Sequence, residues 1–282
     1  MRGRVLSAGF AVVVACAITI TACGDETAQE TASAGEGRTE EPAASPTDSA
    51  TSSWNDYLAL TRGKICTYQG GDGAGGQLTS TQEAISITPN SAGTEYLVEA
   101  VTAAGVGDPA DSPNAITQRS PYLVHPDGSL SVAQKPAAIP PFVYETDQQV
   151  RWPDPSALAA GSTTKTTTTI TMTATQPEAQ AEIDRMVTSG EGLQMRTSYL
   201  VEPAEAITSI TTPSGTYTDL VGVTVSITDA SFVNAVPAAA RELAAVLDNL
   251  RNLATTQYFA RDTGLVEIQV DNFSQQLQGC TG

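Results

Sequence analysis

The stretch YFARDTGLVEI, residues 258–268, contains Asp262-Thr263-Gly264, the triplet that carries the catalytic carboxylate in aspartic proteases. How it is read decides the fold. An aspartic protease needs two carboxylates sharing one proton, because like charges about 3 Å apart cannot both ionise. The chain holds a single Asp-Thr-Gly, so a dimer would have to supply the second. Apolar residues are expected just before such an aspartate and a small residue after the glycine, whereas Arg261 precedes and Leu265 follows. Two alternating runs joined through this triplet instead have the pattern of a β-hairpin with glycine at a left-handed position. The expectation is a turn between two strands.

Alternation of apolar and polar residues, bounded by turn signals, recurs along the chain and predicts antiparallel strands. Residues 64–68 form one. Residues 82–88 and 95–102 flank a loop at 89–93, and 122–125 and 129–134 flank Pro126-Asp127-Gly128. Further strands are expected at 194–201, 206–211, 220–227, 258–261 and 265–270. The run TTKTTTTITMTATQ, residues 163–176, has the composition of an O-glycosylated stalk. Yet Ile170, Met172 and Ala174 alternate with Thr169, Thr171, Thr173 and Thr175, which suits a half-buried strand. Two helices are predicted. One, over 177–188, gathers Ile183, Met186 and Val187; the other, over 237–255, starts at Pro237 and repeats Leu243, Val246, Leu247, Leu250 and Leu253. Each is expected to pack on the sheet; docking a partner or lying on a membrane is the rival use of the longer one, whose polar face lacks the basic residues of membrane-surface helices. A Pro-rich stretch near 136–160 divides the strands, and Leu-x-x-Gly precedes a strand on each side of it, compatible with two related halves in one domain over 54–282.

The amino terminus places the protein. Arg2 and Arg4 precede a 16-residue apolar run, then Ile20-Thr21-Ala22-Cys23. The run is shorter than the roughly 18 residues of a spanning helix and is followed by acids, so residues 1–22 read as a signal peptide. Ile-Thr-Ala-Cys resembles the bacterial lipobox, which implies a diacylglycerol on Cys23; an ordinary secretory peptide with a chance cysteine is the alternative. Two acyl chains hold a protein stably on a membrane where one does not. Residues 23–53 lack apolar periodicity and carry seven acids against Arg38, the composition of a disordered acidic tether. Removing residues 1–22 leaves 12 basic against 31 acidic residues, a net charge of −19, which opposes nucleic acid binding. Few lysines and abundant Ala and Thr suit a GC-rich genome such as an actinobacterium's.

Cys16 leaves with the signal and Cys23 takes lipid, so Cys66 and Cys280 remain as an even pair in an oxidising compartment. A disulfide between them would close a loop of 214 residues, worth on the order of 5 kcal/mol in the chain-entropy model; two free thiols are the alternative. No cysteine or histidine spacing suggests a metal, and no cofactor is expected.

Three segments together resemble an uncharacterised family of bacterial envelope lipoproteins. YFARDTGLVEIQV, residues 258–270, is similar to their C-terminal aromatic-aromatic-Ala, turn, Gly-Leu-Val signature. ITTPSGTYTDLVGVTV, residues 210–225, resembles their Pro-Ala-Gly-Thr-Phe element and the strand after it. DYLALTRGKICTYQ, residues 56–69, resembles their opening Tyr-x-Pro-Leu-x-x-Gly-x-x-Trp-x-Tyr through Tyr57, Leu60, Gly63 and Tyr68. Ala59 stands in the place of the proline and Cys66 near that of the tryptophan, and residues 70–194 are unmatched. The resemblance implies a β-rich fold in the cell envelope and no particular chemistry.

Other patterns read as structure. His125, the sole histidine, sits beside a turn, and no Gly-x-Ser-x-Gly elbow supplies a nucleophile for a triad through it. The Gly-rich run 70–76 lacks the Gly-Lys-Ser/Thr ending of a phosphate loop. Asp108, Asp111 and Asn114 miss the EF-hand spacing. The expected fold is therefore mainly β: a curved antiparallel sheet, as a half-barrel or sandwich, with one or two packed helices. The expected function is a non-enzymatic lipoprotein, anchored on the extracytoplasmic face of the cell membrane, whose sheet encloses a cavity for a lipid or other hydrophobic ligand. A structural or protein-interaction module of the envelope is the alternative, and an extracytoplasmic hydrolase a third.

Overall fold

The structure is a computed structural model that describes residues 52–71, 76–105, 107–136, 140–251, 253–271 and 273–282. The signal peptide, Cys23 and the tether up to residue 51 lie outside them. Fifteen strands are described: β1 Ile65–Gly71, β2 Gln77–Asn90, β3 Gly93–Ala104, β4 Ile116–Val124, β5 Leu130–Val132, β6 Phe142–Thr146, β7 Val150–Trp152, β8 Thr164–Ala174, β9 Leu193–Pro203, β10 Ile210–Thr212, β11 Gly215–Tyr217, β12 Leu220–Phe232, β13 Ala254–Ala260, β14 Gly264–Val270 and β15 Phe273–Thr281. The helices are α1 Trp54–Leu58, α2 Pro155–Ala159, α3 Pro177–Met186, α4 Pro237–Glu242 and α5 Ala244–Arg251.

Thirteen strands form one antiparallel sheet in the order β6-β8-β9-β12-β13-β14-β15-β1-β2-β3-β4-β5-β7, and β10 and β11 form a separate hairpin. The fold is mainly β, as the alternating pattern predicts. β6 and β7 stand at opposite ends of that order yet follow one another in the chain across residues 147–149. At this seam Asp147 N donates to Thr169 O at 3.1 Å, Asp147 Oδ1 accepts from Thr169 N at 2.8 Å, and the Gln148 amide donates to Thr167 O. β7 lies against β8 and β9 without pairing to either. The sheet therefore rolls until its two edges meet, and stays unclosed.

Rolling follows from which faces are apolar. Along β12 Val221, Val223, Val225 and Ile227 are buried, and across β9 so are Leu193, Met195, Tyr199 and Val201. The Thr-rich run is β8, with Thr168, Ile170 and Met172 buried and Lys165 and Thr167 exposed. Outward hydroxyls pair across neighbouring strands, Thr167 with Ser198 at 2.8 Å on β8 and β9 and, separately, Thr224 with Thr256 at 2.9 Å on β12 and β13. One face of the sheet thus stays wet while the other must be enclosed.

α1 fills the mouth of the roll. Ser53 caps it and Asp56 completes a capping box. The fully buried Trp54 donates its indole N–H to Pro153 O at 2.7 Å. Its ring meets Trp152 of β7 edge-on at 5.4 Å and Phe259 of β13 at 5.2 Å. One side chain thereby ties the seam strand to the far wall. α5 packs against β12, burying Val246, Leu247 and Leu250.

Several expected boundaries move. The helix expected over 237–255 breaks at Leu243 into α4 and α5, and Thr255 is buried in β13 instead. There the chain has turned back to pair Ala254 with Ser226 of β12, and a fully buried β-branched residue suits that position. The strand expected at 206–211 shrinks to β10. The hairpin loop expected at 89–93 is a two-residue turn, with β2 and β3 running on to pair Asn90 with Gly93. Pro89 is tolerated because β1 pairs with β2 only as far as Glu83, so its missing N–H faces no partner strand. β6, β7, β11 and β15 were not expected, nor were the short α1 and α2. Strands from both sides of the Pro-rich stretch enter the one sheet.

Cys66 and Cys280 face each other across β1 and β15, joined by a disulfide with Cα atoms 4.0 Å apart. Replacing both by serine is expected to lower stability by about 2–5 kcal/mol, read in urea melts as a lower midpoint with a steeper slope, because the unfolded chain is no longer held in a closed loop.

Candidate functional site

Three chain segments more than 40 residues apart converge at the rim where α1 sits. Arg261, in the turn between β13 and β14, places Nε 2.6 Å from Asp219 Oδ2 and Nη1 3.1 Å from Asp56 Oδ2. Its Nη2 donates to the Tyr57 hydroxyl at 3.0 Å, and that hydroxyl donates to Asp219 Oδ1 at 2.9 Å. The guanidinium lies 4.8 Å from the Tyr57 ring centroid. The hydrogen bond from Arg261 holds the Asp219 carboxyl below the usual carboxylate range, and burial raises the Tyr57 hydroxyl. The carboxylates are half-exposed, so solvent screens these pairs and their main effect is positional. Tyr57, Asp219 and Arg261 come one from each of the three sequence landmarks.

The Asp-Thr-Gly triplet is the hairpin turn. Asp262 is exposed with φ +60°, and it is its backbone N–H, not its carboxylate, that reaches α1, donating to Asp56 O at 2.8 Å. Gly264 has φ +105°, and a Cβ on it would lie 2.8 Å from Leu58 O. The glycine is there because the turn presses on the end of α1.

Inward from this knot is a partly open recess. Leu58, Leu60, Val98, Phe259 and Leu265 supply apolar walls, with Lys64, Tyr68, Tyr122, Gln82 and Gln257 among them. Cys66 also lines it. It gives a water-sized centre about 30 Å³ in which to move, roughly two water positions. Lys64 Nζ donates to Ala59 O at 3.3 Å and to Thr263 O at 3.1 Å, and burial lowers its pKa. A second, shallower groove of about 240 Å³ runs between α2 and the chain after β9, with Leu158, Ile207, Leu220 and Tyr258 on its walls.

Other sequence candidates are placed as follows. His125 Nε2 is 2.8 Å from Ser131 Oγ, but the neighbouring Asp127 carboxylate is engaged by Ser129 at 2.6 Å and by Arg151. Ser131 is buried in β5, so the pair is not arranged as an exposed nucleophile with an oriented base. Asp108 accepts from Ala110 N at 2.9 Å and so caps a 3-10 turn at Pro109–Asp111, while Asn114 is exposed in the loop that follows. Among the described residues no three His, Cys, Asp or Glu side chains gather as a metal would require. Residues 72–75 of the Gly-rich run lie outside the described part. Sequence reasoning missed the role of Asp56, Asp219 and Arg261 and the grouping of Lys64 with Tyr68, Tyr122, Gln82 and Gln257; the inward alternation of Tyr68, Gln82 and Gln257 was the available signal.

No protein-family model and no curated protein matches the chain. Among solved structures it is similar to a Parabacteroides distasonis protein thought to be a lipoprotein, with a TM-score of 0.50 and 11% identity over 80% of this chain and 99% of that one. It is also similar to a Bacteroides fragilis protein thought to be exported and to have a YmcC-like fold, with a TM-score of 0.49 and 11% identity over the same shares. At such identity the likeness to the Parabacteroides protein is one of fold alone.

Asp219 is held below its unfolded pKa, so its contribution to stability is present above about pH 4 and is lost as pH falls through the folded value. Urea melts between neutral pH and pH 3 are expected to show a shallower acid-side loss for Asp219→Asn than for the wild type. Gly264→Ala is expected to cost about 1–3 kcal/mol from backbone strain alone, measured in the same melts.

Proposed function

We propose that this chain is a lipoprotein of the extracytoplasmic face of the cell membrane, lipidated on Cys23, whose domain acts by contact with another envelope component and not by catalysis. The lipobox-like Ile20-Thr21-Ala22-Cys23 supports the anchor. Membership of the envelope lipoprotein family is supported by the meeting of its three landmarks at Tyr57, Asp219 and Arg261.

The observation that carries a contact role is the filled interior. Trp54, Trp152, Phe259, Tyr199 and Leu277 belong to one buried cluster. The recess beside it has about 30 Å³ of free room, against the several hundred Å³ typical of preformed small-molecule sites. An apolar ligand keeps one support, the groove beside α2, whose walls are largely apolar and where Ile207 is exposed. Residues 52–282 carry 11 basic against 24 acidic side chains, a net charge of −13, so a partner meeting this domain is favoured by a basic surface.

Native mass spectrometry with organic extraction of the purified mature protein is expected to show the protein mass without a stoichiometric apolar adduct beyond the lipid on Cys23. Crosslinking in intact cells is expected to capture a partner whose yield falls with added salt. A second apolar molecule bound one to one would displace the contact reading in favour of a carrier.

A further inference from the structure

The recess inside α1 holds an unusual set of groups for so acidic a protein. Among the described residues Lys64 is its one charged wall residue, and no carboxylate lies within 4 Å of its Nζ. Tyr68 is only 2% exposed, and neither its hydroxyl nor that of Tyr122 makes a hydrogen bond among the described residues. The Gln82 and Gln257 side-chain amides are in the same position. The buried Tyr68 phenol, set against those of Tyr122 and Tyr217, and the Lys64 ammonium, met only by two carbonyls, line one recess whose walls, among the described residues, carry a positive charge and no negative one.

We propose that this recess binds a carboxylate group, with Lys64 as its counter-charge and the Tyr68 and Tyr122 hydroxyls and the Gln82 and Gln257 amides as neutral donors around it. Size agrees: the free room corresponds to about two water positions, the footprint of a carboxylate's two oxygens. Charge agrees as well. One ammonium balances one negative charge, whereas a phosphate dianion would leave a charge uncompensated among apolar walls. Among the described residues no arginine fork lines the recess to hold a larger oxyanion. The walls of Leu58, Val98, Phe259 and Leu265 limit screening and strengthen the charge-assisted bond. The carboxylate has two possible sources, a free small carboxylate or the end of an acyl chain whose tail would leave through the mouth of the recess. A small free carboxylate here leaves the proposed envelope contact untouched, whereas an acyl chain retained one to one in the purified protein would favour the carrier reading over it.

Titration calorimetry on the detergent-solubilised mature protein tests it, using sodium acetate and then sodium decanoate below its micelle concentration, each against chloride at equal ionic strength. Saturable acetate binding is expected, weakened about tenfold or more in Lys64→Met and unchanged in Lys165→Met, which removes the same charge from the exposed outer face. Decanoate binding tighter than acetate, and equally dependent on Lys64, would assign the site to an acyl carboxylate; equal or weaker binding would assign it to a small free one. Lys64 also bonds two rim carbonyls, so Tyr122→Phe and Gln82→Leu serve if Lys64→Met fails to fold, each with a severalfold loss expected. No saturable binding of either anion, or binding that these substitutions leave intact, would overturn the proposal.

Discussion

The rest of the structure depends on the burial of Trp54. A sheet of thirteen strands with one apolar face must enclose that face, and strand pairing alone does not complete the enclosure here, because β6 and β7 meet at a seam without a continuous ladder. Trp54 supplies what pairing does not. Its indole bonds to the chain just after β7, and its ring contacts Trp152 on the seam and Phe259 on the opposite hairpin. Removing a buried tryptophan of this kind costs about 3–5 kcal/mol, and here the loss would fall where the two edges of the sheet are held together.

From that plug the rim follows. α1 is only five residues long and has little intrinsic stability, so its position is set by tertiary contacts. Tyr57 and Asp56 reach Arg261, Asn55 accepts from the Tyr96 hydroxyl at 2.8 Å, and the β13–β14 turn presses Gly264 against its last carbonyl. Two distant regions of sequence, β3 and the β13–β14 turn, thereby fix one short helix. The recess lies behind it, its walls drawn from the same hairpin and from β1, β2, β3 and β4.

Much of the sheet was legible because its signal is local. Ile170 and Met172 in the threonine run, and Val266, Ile268 and Val270 after the Asp-Thr-Gly turn, declare one face of their strands by alternation with no knowledge of their neighbours. The helix over 237–255 was overextended because Leu253 continues its apolar spacing, while the pairing of Ala254 with Ser226 is a long-range event. β15 was missed because Gln275 interrupts the apolar alternation of Phe273 and Leu277, although its side chain is fully buried. The recess was illegible for a similar reason. Lys64, Gln82, Tyr122 and Gln257 sit on four separate segments, and only the curl of the sheet brings them together.

The way the chain enters the domain has a mechanical meaning. Ser52 and Trp54 attach at the rim, through Ser52 Oγ to Ser156 at 2.7 Å and Trp54 N to Gly128 O at 3.4 Å. Tension applied from the amino-terminal side therefore loads α1 before any strand, and drawing α1 out would withdraw Trp54 and open the roll at the β6–β7 seam before the strand ladders are loaded. The pull then reaches β1, where the covalent link from Cys66 to Cys280 stops the peeling at the second residue of the strand. A domain tethered by this end can yield at its mouth under load and still keep its wall, an order of failure set by where one disulfide lies relative to one tryptophan.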